Sequence, residues 1–398
     1  MSDLFPVFDW KGFEAALLDA LLAAAASDGP YRAAALSDLY AETDGIITAP
    51  MLGLNTDGEQ MDSPPDWEFF IDDWAPNSWV EALTAEACSG TVEHWQTTFE
   101  RYQDVLARIC RRASARLGIP VFYIEHSRYE EMLGRCLTPA QLAELFPEVV
   151  AAQVERARVA ALPLDERLAY YVSRLDRFDG LIGSEEAENA LCALGSEAIP
   201  ALLPLLGQAG RAVWAAILLA KIGLPTDPAI TGLSAAVAKS IPDSPDQLWS
   251  CRTLAQLDRL DLVLANASTL SPDALATAVA ARYTAFRDYG AHPLSLDYSP
   301  LEDFLRGYPE IAPKVADELA PGRSYCTIAI REVPEAMRGT TSPHPVVRKH
   351  AVCVLGDRAL GESIGAQVIP LLRSIAQLDP DSDVRRLAAL SLEWWKVN

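Results

Sequence analysis

The chain has 398 residues, enough for two or more separate cores. Half of them are apolar and 22% are charged, a globular balance that excludes disordered, collagen-like and coiled-coil chains. Asp and Glu outnumber Lys and Arg by 55 to 33, and the resulting charge of −22 repels phosphate backbones and anionic membranes, so neither nucleic acid nor membrane is an expected partner.

Apolar residues at 3 to 4 residue spacing (Trp10, Phe13, Leu17, Leu21) predict an amphipathic helix over about 9–26, stopped by Asp28-Gly29-Pro30. Asp19 interrupts its apolar stretch and Asp3, Asp9 and Glu14 precede it, unlike a secretory leader. No run approaches the roughly 18 apolar residues of a membrane span, so a cytoplasmic location is expected. Two apolar runs, 31–40 and 46–54, flank Glu42-Thr43-Asp44-Gly45, and Asp-Gly supplies the positive φ of a hairpin turn. Trp95, Phe99, Tyr102, Leu106, Ile109, Ala113 and Leu117 then trace one stripe of a long helix over about 92–117. Gly118-Ile119-Pro120 ends it, 121–124 reads as a short buried strand, and Thr138-Pro139-Ala140-Gln141 carries the signals of a capped helix start.

Charge is distributed unevenly along this order. The first 150 residues hold 25 acidic and 9 basic side chains, a charge of −16, against 30 and 24 in the rest. Between Arg32 and Arg101 there is no Lys or Arg at all, while fourteen Asp and Glu fall inside. Aromatic mass concentrates in the same segment. Its rings either cover the core of a small domain or anchor a binding face, because aromatics framed by carboxylates suit a cationic protein partner. On the second reading the candidate partner-binding residues are Asp57, Glu59, Asp62, Asp66, Trp67, Phe70, Asp72, Asp73, Trp74 and Trp79.

From about 151 the texture changes to Ala- and Leu-rich helices punctuated by Gly and Pro. Val347-Arg348-x-x-Ala351-x-x-x-Leu355 recurs as Val384-Arg385-x-x-Ala388-x-x-x-Leu392, an offset of 37 residues, each after a Pro-rich or acidic turn. A second echo pairs Ala190–Gly195 and Ile199-Pro200 with Ala351–Gly356 and Ile369-Pro370. These residues resemble HEAT-like repeats, which implies helix pairs stacked into a solenoid used as a binding scaffold. The resemblance covers 184–223 and 341–398. Between 225 and 340 frequent prolines leave only irregular helical patterns. The expected organisation is an acidic α+β domain at 1–150, a helical linker at 151–183 and an all-α HEAT-like solenoid at 184–398. Arg348 and Arg385 are expected to pair with the turns that precede them.

In the first domain, Ala35-Leu36-x-Asp38-x-Tyr40, Asp44-Gly45-x-Ile47-x-x-Pro50, Leu54-Asn55-Thr56 and Trp67-Glu68-Phe69-Phe70-x-x-Asp73-Trp74 resemble an uncharacterised bacterial α+β family encoded beside polymorphic toxins. The resemblance spans about 10–150 and implies an immunity role, with no catalytic residues to carry over. Elsewhere the motifs of chemistry are missing. There is no phosphate-binding GxxxxGK[ST] or GxGxxG, no GxSxG elbow, and no HExxH among His94, His126, His292, His344 and His350. Gly180–Ser184 reads as a joint opening a helix, and His350 beside Cys353 as a surface histidine next to a core thiol. Asp57-Gly58-Glu59 and Asp62 lack the twelve-residue spacing and closing Glu of a calcium loop. Seven scattered cysteines without a CxxC pair read as buried thiols. The expected protein is non-enzymatic, holds no metal or cofactor, and neutralises a basic toxin through its acidic first domain. The alternative is a HEAT-repeat scaffold or lyase-like chaperone whose helical body binds the partner; a DNA-binding groove is disfavoured by a total of six lysines.

Overall fold

The computed structural model describes residues 8–26, 29–37, 45–90, 92–177, 179–320 and 325–395. The chain divides into two compact units, 1–158 and 159–398. The first is α+β with a small mixed sheet, and the second is helical.

In the first unit, α1 (Trp10–Ala25) opens where Asp9 accepts a hydrogen bond from the Gly12 N–H at 3.0 Å, and it buries Phe13, Leu17 and Leu21. Strands β1 (Ala33–Ser37) and β2 (Met51–Asn55) pair antiparallel with Ser37 opposite Met51, as the two apolar runs predict. The connection is longer than a tight turn. Gly45 has φ +84°, whereas Asp38, Tyr40, Glu42, Thr43 and Asp44 lie outside the described residues. Strand β3 (Phe69–Ile71) pairs antiparallel with β2, and β4 (Val121–Ile124) pairs parallel with β1, giving the order β3-β2-β1-β4. All residues of β1, β2 and β4 are buried, as a sheet covered by helices requires.

Helix α2 (Asn77–Cys88) packs on α3 (Val92–Leu117), which also packs on α1 and β4. The predicted stripe of α3 is its core face: Tyr102, Leu106, Ile109 and Ala113 are fully buried. Beside that stripe, Arg108 and Arg112 reach Glu14 of α1. Burial pulls the Glu14 carboxyl upward, but the two guanidinium groups hold it below its ordinary value. Helix α4 (Tyr129–Cys136) follows, then α5 (Pro139–Leu145), where Thr138 and Gln141 form the full reciprocal capping box. Helix α6 (Pro147–Ala160) runs unbroken through residue 150, which carries the division between the units on to Arg158.

The second unit contains α7 (Leu164–Arg174), α8 (Ser184–Leu194), α9 (Ile199–Leu202), α10 (Ala212–Ile222), α11 (Asp227–Lys239), α12 (Pro245–Gln256), α13 (Leu260–Leu264), α14 (Pro272–Ala280), α15 (Ser299–Gly307) and α16 (Ala312–Glu318). Four more follow: α17 (Val333–Gly339), α18 (Pro345–Leu355), α19 (Glu362–Leu378) and α20 (Ser382–Trp394). One contiguous core runs from Leu168 to Ala388. Along α10 to α16 the even-numbered helices pack successively, α10 on α12, α12 on α14 and α14 on α16. Helices α18 and α20, whose sequences echo each other, also pack together. The prolines of 225–340 sit largely at helix starts, so this stretch is a series of short helices. At Gly339 a Cβ would come within 2.4 Å of the Tyr298 ring, so only glycine lets α17 approach that closely.

Two echoes differ from expectation. Ile199-Pro200 begins α9, but Pro370 lies inside α19, where the helix continues through it. Arg348 reaches forward: besides donating to the Ser342 carbonyl of its own turn, it grips Asp379 of the next one through Nε (2.8 Å) and Nη2 (3.0 Å). Arg385 donates to the Asp379 carbonyl at 2.6 Å. Arg348 and Arg385 therefore close the end of α19 from both sides. No single described helix is long and apolar enough to cross a membrane.

Candidate functional site

The acidic residues singled out by sequence gather around β3, the terminal strand of the sheet. The β2–β3 connection is held by Asn55, which is buried at 3% exposure. Its Oδ1 accepts from the Gly58 N–H (2.6 Å) and its Nδ2 donates to the Glu59 carbonyl (3.0 Å). Asp57 accepts from the Glu59 N–H at 2.8 Å, and Asp66 accepts from the Ser63 hydroxyl at 2.5 Å. These local bonds pin the backbone and leave the carboxylates facing solvent. Asp57, Glu59, Asp62, Asp66 and Glu68 precede β3, Asp72 and Asp73 follow it, and all seven are exposed. None of the seven forms an ion pair among the described residues, although Arg32 runs alongside Gly58. Some carboxylates of this unit on other elements are paired: Glu14 with Arg108 and Arg112, Asp104 with Arg135, and Glu130 with Arg156.

The aromatic half of the predicted site lies elsewhere. Trp67 is 7% exposed, its Nε1 donates to the Gln60 carbonyl at 2.9 Å, and its ring meets Phe122 of β4 edge-on. Gly53 makes room for it, since a Cβ there would lie 2.9 Å from the indole. Trp67 is thus part of the core and presents no ring to a partner, which corrects its reading as an exposed anchor. Trp74 and Trp79 are half-buried against Phe13, and Trp74 Nε1 donates to the Pro50 carbonyl at 2.6 Å. Their rings belong to the packing between α1 and the segment after β3. Phe70 is half-buried as well. The exposed ring of the region is Phe69, 40% accessible and edge-on to Tyr31. Strand alternation, which sends neighbours to opposite faces, is the signal that separates it from Phe70.

A second concentration of chemistry lies inside the helical unit. His350 is fully buried, which corrects its reading as a surface residue. Its Nε2 donates to the Tyr283 carbonyl (2.7 Å) and its Nδ1 accepts from the Tyr298 hydroxyl (2.6 Å), so the imidazole is neutral with its proton on Nε2. Burial pushes its pKa down to about 4. Cys326 lies 3.7 Å from the same Nε2 and 3.4 Å from Arg287. Burial nevertheless raises that thiol to about 11, Arg287 notwithstanding, so it remains protonated and weakly nucleophilic. Arg287 and Glu332 form a buried ion pair; Arg287 also donates to the carbonyls of Leu294 (2.7 Å) and Thr327 (3.1 Å), and Glu332 accepts from the N–H groups of Leu296 and Ala329. Burial would raise the Glu332 carboxyl, but these donors hold it below the ordinary carboxylate value. Every member ties one loop to another, as a polar clamp on the core does. Cys88, expected as a buried thiol, is exposed, and all seven cysteines are free.

Among the described residues no three His, Cys, Asp or Glu are grouped so as to hold a metal ion. No protein-family model matches the chain, and no curated protein is detectably similar to it.

Proposed function

We propose that this chain is a non-enzymatic protein-binding protein whose acidic first unit captures a cationic protein, in the manner of an immunity protein that neutralises a basic toxin in the cytoplasm. One observation carries the reading: seven exposed carboxylates cluster around β3 and none has an ion-pair partner among the described residues. Unpaired surface charge of one sign costs stability through self-repulsion and is repaid by long-range steering of a partner of opposite sign. A toxin whose own site attracts phosphate carries that sign. The test is co-purification of the full chain with the products of genes adjacent to its own. A 1:1 complex with a basic product is expected, and absence of binding to every neighbour contradicts the reading.

The second reading places the contact on the helical unit, as a HEAT-like solenoid scaffold. It is supported by the successive packing of alternate helices and by Arg348 linking one echo to the next. Replacing Asp57, Glu59, Asp62 and Asp66 by Asn or Gln in the full chain separates the two. Affinity falls if the acidic unit makes the contact and stays unchanged if the helical body does.

A further inference from the structure

The helical unit carries a half-open pocket of about 590 Å³, inside the range of roughly 300–1,000 Å³ that takes a drug-sized molecule. Its walls are mainly apolar. Ala235 and Ala236 of α11 face Leu203, Leu206 and the first turn of α10 at Val213, and Ile241, 72% exposed, lies at the edge. Two ionisable side chains line it, Lys239 and Asp246. Asp246 is buried and held in place: its Oδ1 accepts from the Val213 N–H (2.8 Å) and its Oδ2 from the Gly210 N–H (2.7 Å), at the start of α10 where helix N–H groups favour a carboxylate. Lys239 is exposed in the last turn of α11 and forms no ion pair among the described residues. Lys239 is therefore the one cationic side chain among the described residues lining this mainly apolar hollow, and the Asp246 carboxylate is turned toward the backbone N–H groups at the start of α10.

We propose that this cavity binds a small amphiphilic monoanion, a carboxylate with an aliphatic or aromatic body. The hydrocarbon occupies the hollow against Leu203, Leu206 and Ile241, removing apolar surface on both sides from water. The carboxylate meets the Lys239 ammonium, which selects the sign of the head group. This site is independent of the acidic surface of the first unit.

The experiment titrates the full chain by calorimetry with decanoate, decan-1-ol and decylammonium, each below its aggregation concentration. Saturable 1:1 binding of decanoate, weaker binding of decanol and still weaker binding of decylammonium are expected. Lys239→Gln should weaken decanoate by about fivefold, the size of one exposed ion pair, and leave decanol unchanged. Ala235→Trp, which fills the hollow from a half-exposed position, should abolish binding of all three without loss of helical signal. The proposal is overturned if decanoate does not saturate, if folded Ala235→Trp binds as the parent does, or if Lys239→Gln affects decanol as much as decanoate. Should Ala235→Trp fail to fold, the surface variant Lys239→Glu decides: a reversed preference for decylammonium supports the site, and an unchanged preference overturns it.

Discussion

Trp67 and Asp57 stand close together in the sequence and face opposite environments. The indole of Trp67 fills space against Gly53 and Phe122, so Trp67→Ala should cost about 3–5 kcal/mol by leaving a cavity. Chemical denaturation measures that loss, and the association rate of the folded fraction should not change. Asp57 touches only its own loop, so Asp57→Asn should move the melting temperature little. His350 makes a different prediction, one about pH. An unfolded chain binds a proton to this imidazole near 6.5, the folded chain only near about 4. Between those values the unfolded state holds more protons, so the contribution to stability is complete above pH 6.5, falls as pH is lowered, and levels off below about 4. Comparison of the parent with His350→Gln by denaturant titration at pH 7 and 4.5 should show the parent losing about 2 kcal/mol more. Equal pH dependence of the two proteins would contradict a buried neutral imidazole.

At the level of elements, local chemistry was readable wherever one segment decides it. The period of α3, the strand at 121–124 and the Thr138 capping box each follow from neighbours in the chain, and each is present. Thr138→Ala should therefore cost about 1 kcal/mol, measured as a lower denaturation midpoint. What could not be read depends on distant segments. Strand β3 is three residues long and exists through its register with Leu52–Leu54, which no period announces. The burial of His350 is imposed by Tyr283, Tyr298 and Tyr325, all remote in sequence, so its helix position beside Cys353 was misleading. The six acidic residues named for the candidate surface are exposed and Glu68 joins them, whereas Trp67, Trp74 and Trp79 pack into the core through Phe13 and Phe122. The repeat echo was legible as a pattern but its pairing was not. Because Arg348 and Asp379 are both nearly buried and joined by two bonds, Arg348→Met alone should cost about 3–5 kcal/mol by stranding the carboxylate. Adding Asp379→Leu should recover part of it, and a double variant as unstable as the sum would contradict this account.

For the whole molecule, net charge is a statement about encounters more than about fold. The −16 of the first 150 residues against −6 for the remainder gives the chain an electrostatic polarity along its sequence. Exposed carboxylates act out to about 8 Å, the screening length at physiological salt, and side chains already sealed in a core act on folding alone. The same surface therefore predicts fast, salt-sensitive association, and loss of its charges lowers affinity through the association rate. The most direct test is the association rate of the full chain with a basic product of an adjacent gene, measured by stopped flow at increasing ionic strength. The parent is compared with the variant carrying Asp57→Asn, Glu59→Gln, Asp62→Asn and Asp66→Asn. The account predicts a steep fall of the parent's rate with salt, a slower and flatter profile for the variant, and a melting temperature for the variant no lower than the parent's. Identical salt profiles for the two proteins would contradict it.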